Sequence, residues 1–156
     1  QEMVSIFELR EVLEGLAAKR AAANITDKQI EILNCFFGSF TESDNITDYR
    51  AYAKEDRHFH NFITEIGAKE FLKSILQTYN FITASYQYLS TEGLVRPPNE
   101  TIEEHLAVIK AISERNPEAA EILMRRHLRK TIAHLKGDIE KEKQGSDSLK
   151  IIRPSF

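Results

Sequence analysis

TIEEHLAVIKAISERNPEAAEILMRRHLRKTIAHL, residues 101–135, carries the reading of the fold. Its apolar residues recur three and four apart: Ile102, Ile109 and Ile112 in the first half, Leu123, Leu128 and Leu135 in the second. That is the spacing of a helix face, not the alternation of a strand. Thr101 and Glu104 stand at capping-box spacing, and Pro117 sits where a proline suits the first turn of a helix. The stretch therefore predicts two helices, from Thr101 to about Arg115 and from Pro117 to about Lys143. Each carries a histidine on its apolar stripe, His105 in line with Ile102, Ile109 and Ile112, and His127 in line with Leu123, Met124 and Thr131.

Upstream the same period continues. A first helix is predicted from Val4 to Ala23, with Ile6, Leu9, Leu13 and Leu16 as its stripe and an alanine-rich end. Thr26 with Gln29 forms another capping box and opens a second helix through Ile30, Leu33 and Phe37 to about Phe40. Residues 41–45 read as a loop. Thr47 or Asp48 caps a third helix ending at Gly67, and a fourth runs from about Lys69 to Ser90 with Leu72, Leu76, Tyr79 and Phe81. Arg96-Pro97-Pro98-Asn99 reads as an extended break. The expected fold is all-α, an antiparallel bundle of about six helices with a buried metal and ligand cavity, occupying residues 1–145 and followed by a tail at 146–156.

Composition agrees with a single soluble domain: 156 residues, 42% hydrophobic and 29% charged, with four prolines and six glycines. No stretch approaches the roughly 20 apolar residues of a membrane span, and residues 1–9 do not resemble a secretory signal, so a cytoplasmic location is expected. The lone cysteine, Cys35, reads as a small core residue. A net charge of −3 offers no footprint for nucleic acid. The densest basic run, Arg125, Arg126, Arg129 and Lys130, is expected on a solvated face.

The third helix places Asp56 and His60 on one face, since residues four apart differ by only about 40° in azimuth. His58 falls nearly opposite and reads as a surface residue. Asp56, His60, His105 and His127 thus all point inward from three helices. An unpartnered polar group in a packed interior costs roughly 2–7 kcal/mol, so four of them need a shared explanation. A divalent transition metal, Zn, Ni, Fe or Mn, supplies it, with open coordination positions for an anionic small molecule. The plainer alternative is four separately satisfied core residues. His134, seven residues after His127, reads as a partner of the ligands, a pocket residue or a plain histidine near the bundle end.

The runs Glu55-Asp56-Arg57-His58-Phe59-His60, Glu104-His105-Leu106-Ala107-Val108-Ile109-Lys110-Ala111-Ile112 and Met124-Arg125-Arg126-His127-Leu128 resemble the effector-binding FCD domain of FadR-subfamily GntR transcription regulators. The opening Glu8-Leu9-Arg10, Leu13-Glu14 and Leu16-Ala17-Ala18 is similar to that domain's first helix. Ala68 stands where many members have asparagine, and Asn116-Pro117 where Gly-Asp is usual; neither touches a proposed ligand.

The resemblance implies a ligand sensor in which Asp56, His60, His105 and His127 hold the metal and a small carboxylate effector binds its open side. Arg10 would meet the effector in a two-pronged hydrogen bond; the alternative is a surface ion pair between Arg10 and Glu14. The resemblance further implies a homodimer, and contact with DNA only through an N-terminal winged helix-turn-helix domain missing from this chain. Two other classes stay open: a mononuclear metal-dependent hydrolase, for which His134 is the only spare titratable group in phase, and a metal-free helical structural module.

Overall fold

The computed structural model describes residues 2–41, 46–70, 72–78 and 94–150, with side chains to residue 141. Every regular element among these residues is helical. The helices are α1 (Glu2–Asn24), α2 (Asp27–Leu33), α3 (Gly38–Thr41), α4 (Tyr49–Gly67), α5 (Pro98–Ser113) and α6 (Pro117–Lys150). Residues 72–78 are helical as well. No described helix is long and apolar enough to cross a membrane. The expected fourth helix is thus described only in part, and its continuation through Tyr79, Phe81, Tyr86 and Tyr88 lies outside the described residues.

α1 is the organising element, packed against α6, α4 and α5. Its pairing with α6 is antiparallel, because rising positions on one meet falling positions on the other: Glu8 with Lys136, Glu11 with Arg129 and Lys19 with Glu121. The buried face of α1 is not the leucine stripe expected from the sequence. Val4, Phe7, Arg10, Glu14, Ala17, Ala18, Ala21 and Ala22 are buried, while Leu9 is 37% exposed and Ile6, Leu13 and Leu16 are half-buried. The alanines decide this, since small side chains let neighbouring helices approach closely. At Gly67 the approach is closest: a Cβ there would lie 1.8 Å from the Ala17 carbonyl oxygen.

Local chemistry sets the other boundaries. Thr26 and Gln29 form the reciprocal cap expected of them. Asp48 accepts from Ala51 N–H and starts α4. The second helix does not run on to Phe40 but breaks after Leu33, because Phe37 adopts φ 62° and its N–H donates to Glu55 Oε1 at 3.1 Å. The break turns the Phe37 ring into the interior. Cys35, expected in the core, is exposed by the same turn. α5 begins at Pro98, three residues earlier than expected, with Pro97 extended before it. Thr101 is therefore inside the helix, and the expected Thr101–Glu104 cap does not form. Pro117 does start α6, which continues past Lys143 to Lys150.

Candidate metal centre

Asp56 and His60 stand one turn apart on α4, His105 on α5 and His127 on α6. One donor atom from each falls within 4.8 Å of the others. His60, His105 and His127 are buried, while the Asp56 side chain is 19% exposed and faces a cavity.

Each imidazole is held from behind. His60 Nδ1 lies 2.5 Å from Glu14 Oε2, and His127 Nδ1 lies 2.9 Å from Glu104 Oε2. An ionised carboxylate only accepts, so both rings carry hydrogen on Nδ1, and in its neutral form each keeps Nε2 as a lone pair. His105 Nδ1 is 3.1 Å from the Tyr52 hydroxyl, which is 2.9 Å from Thr101 Oγ1, which in turn donates to the Pro98 carbonyl at 3.3 Å. Because that chain ends on a carbonyl, its fully satisfied direction runs outward from His105, again with hydrogen on Nδ1. This outward bonding is how proteins orient metal-binding histidines.

His105 Nε2 supplies the test of fit. It lies 3.1 Å from Asp56 Oδ1 but without hydrogen-bond alignment, and among the described residues this buried nitrogen has no hydrogen-bond partner. A cation at the cluster would give that lone pair the partner it lacks. The histidine is also fixed sterically, with Phe37 stacked on it at 4.7 Å between centroids and Phe59 edge-on at 5.1 Å. The His105 and His127 rings approach to 4.5 Å.

The electrostatics suit a cation. Burial works against the charged form of Asp56, yet the neighbouring imidazoles, with His105 Nε2 only 3.1 Å away, hold its carboxyl well below the usual range. Burial, with the nearby His105 charge, pushes His127 down to about 4, and burial likewise lowers His105. Both offer neutral imidazoles at physiological pH. For His60 burial also opposes the charge, but the Glu14 carboxylate outweighs it and the ring is raised.

Arg10 reaches the same cavity, with its guanidinium carbon 4.7 Å above the Phe7 ring. It does pair with Glu14, Nε to Oε1 at 2.6 Å, but this is a buried pair and not the surface one considered above. Burial raises the Glu14 carboxyl while Arg10 and then His60 outweigh it, leaving it at about 2. On the other side of the cavity, Arg96 makes a two-pronged pair with Glu104 at 2.8 and 3.0 Å. The cavity is small, about 30 Å³, room for roughly two or three waters or a carboxylate group.

Glu14, Tyr52, Glu104 and Arg96 were not singled out in the sequence as site residues. The i, i+4 spacings of Arg10 with Glu14 and of Tyr52 with Asp56 are visible in the sequence; the pairings with the three histidines join different helices. His134 is not part of the cluster: it is half-exposed and paired with Asp138 at 3.4 Å. His58 is exposed, as expected. The basic run is mixed, with Arg125 half-buried against Gly15 and Arg126, Arg129 and Lys130 exposed; Lys130 contacts Glu104 at 2.6 Å.

Residues 5–130 match the model of the FCD domain, and the chain belongs to that family. It is similar to the HTH-type transcriptional repressor NanR of Klebsiella aerogenes, 27% identical over 127 residues, covering 81% of this chain and 48% of that protein. The NanR repressor of Citrobacter rodentium is 26% identical over 140 residues, covering 88% and 53%. Among solved structures, Streptococcus agalactiae GntR aligns with a TM-score of 0.65 and 26% identity over 83% of this chain and 57% of that one. The chain spans about half the length of the curated relatives it matches. Family, fold and relatives agree on a ligand-sensing regulatory domain of the GntR type.

Proposed function

We propose that this domain holds one divalent transition metal, Zn, Ni, Fe or Mn, on Asp56, His60, His105 and His127, and senses a small carboxylate effector at the metal's open side. The observation that carries the reading is the outward Nδ1 bonding of all three histidines, which in the neutral rings turns the Nε2 lone pairs to the cluster and leaves the His105 one without a hydrogen-bond partner among the described residues. When bound, the metal would supply a positive centre for one carboxylate oxygen. Arg10 borders the same cavity, and its guanidinium is suited to the effector's second oxygen.

In the whole protein, acting in the cytoplasm as a homodimer, effector binding would shift the helices and so alter DNA binding by an attached winged helix-turn-helix domain. For that coupling the effector must favour one arrangement of the dimer over the other. The domain boundaries are proposed as 1–145 with the tail at 146–156. A hydrolytic role has less support, because His134, the candidate base, pairs with Asp138 outside the cluster.

A panel of small carboxylates, scored by melting shift with and without zinc, tests the reading. A shift that needs zinc and is lost in Arg10→Gln supports it. A shift indifferent to both, or none with any carboxylate, would count against it.

A further inference from the structure

Resting on that reading of the metal, we propose that Glu14 is a positioning residue that fixes His60 in its metal-binding tautomer, and that it must be a carboxylate because Arg10 claims its other oxygen. Oε1 accepts from Arg10 Nε at 2.6 Å and Oε2 from His60 Nδ1 at 2.5 Å. All three side chains are buried. One residue therefore joins the arginine assigned to the effector with a histidine assigned to the metal.

Only a carboxylate can serve both partners. Arg10 Nε and His60 Nδ1 are each donors, and each needs an oxygen. Glutamine has the same shape but one oxygen and one NH2 group. In Glu14→Gln the buried guanidinium, which is the costlier group to leave unpaired, takes the oxygen. The NH2 group then faces His60, so Nδ1 becomes the acceptor and hydrogen moves to Nε2, the nitrogen the metal needs. Shape is conserved while the ligand is switched off.

Removing the competitor should reverse this. In the double variant Arg10→Met, Glu14→Gln, nothing on α1 claims the glutamine oxygen, which turns to His60 and returns the hydrogen to Nδ1. A second substitution in the same buried pair would thus restore a function that the first removed. A role confined to packing predicts the opposite, since each change would add to the damage.

The test uses long-range proton–nitrogen NMR of the imidazoles in metal-free protein, in mildly alkaline buffer, together with zinc affinity by chelator competition. Expected are Nδ1–H on His60 in the wild type and Nε2–H in Glu14→Gln, with zinc affinity lower by roughly 10- to 100-fold. The double variant should show Nδ1–H again and regain most of the zinc affinity. A folded Glu14→Gln that keeps Nδ1–H or wild-type zinc affinity overturns the proposal, as does a double variant no better than the single one. If Glu14→Gln does not fold, the wild-type spectrum decides, because a neutral His60 with hydrogen on Nε2 and none on Nδ1 contradicts the assignment. A wild type with Nδ1–H that takes up no metal would sink the sensing mechanism while leaving the placement of His60 by Glu14 intact.

Discussion

Replacing Tyr52 by phenylalanine removes one oxygen atom and tests how His105 is held. The Tyr52 hydroxyl is buried between His105 Nδ1 at 3.1 Å and Thr101 Oγ1 at 2.9 Å. Phenylalanine keeps the ring contacts with Phe37 and Phe40, at 5.4 and 5.2 Å between centroids. Thr101 retains its bond to the Pro98 carbonyl. The loss therefore falls on His105 Nδ1, fully buried beside aromatic rings and bonded to no other acceptor among the described residues. Leaving one such group unsatisfied costs about 1–3 kcal/mol. Near 2 kcal/mol, and with roughly 2–4 °C of melting temperature per kcal/mol in a domain of this size, the metal-free variant should melt about 4–8 °C lower. The untethered ring is also free to carry hydrogen on Nε2, so zinc affinity should fall by roughly 10- to 100-fold. Scanning calorimetry of the stripped protein and titration against a chromophoric chelator read the two effects separately. A variant with wild-type melting and wild-type zinc affinity would refute the role given to the hydroxyl.

Gly67→Ala should destabilise by about 3 kcal/mol or more, because the new methyl meets the Ala17 carbonyl oxygen and must push two helix backbones apart. Gly38→Ala, with open space around its position, should leave a chemical denaturation midpoint unchanged. In the metal-free protein, His127 is neutral in the fold down to about 4 and charged in the unfolded chain below about 6.5. Its contribution is therefore lost as pH falls from 6.5 towards 4, and His127→Gln should flatten the melting profile in that window. Glu14 has the carboxylate sign: its share of stability is present above about 4.5 and disappears as pH falls towards 2, a second, more acidic step that Glu14→Gln should abolish. A chelator should lower the melting point of zinc-loaded protein by the linkage energy, about 4 kcal/mol at a thousandfold excess over Kd, without unfolding it at room temperature.

How far the site could be read from the sequence depended on where its partners lie. Asp56 with His60, and the stripes carrying His105 and His127, follow from helical periodicity because each histidine shares a phase with apolar neighbours on its own helix. The relation among the helices does not. The spacing of Glu104 from Thr101 suggests a cap for α5, yet Glu104 reaches Arg96, Lys130 and His127, a set that only the packed bundle assembles. α1 departs from its sequence pattern for a similar reason. Its leucines form a regular stripe, but Ala17 and Ala18 admit closer packing than leucine would, and burying that face draws Arg10 and Glu14 inward, where Glu14 pairs with both Arg10 and His60. Phe37 shows tertiary structure overriding local pattern: helix spacing carried α2 through it, while the structure breaks there so that the ring can stack on His105. Cys35 follows from that break, exposed by the turn that buries its neighbour.

Elemental analysis of freshly purified wild-type protein beside His105→Ala tests most directly the claim that these four residues form one metal site. The account predicts about one transition-metal ion per wild-type chain and almost none in the variant. Wild type that stays metal-free after incubation with zinc, nickel and manganese, or a variant that retains the full complement, would contradict it.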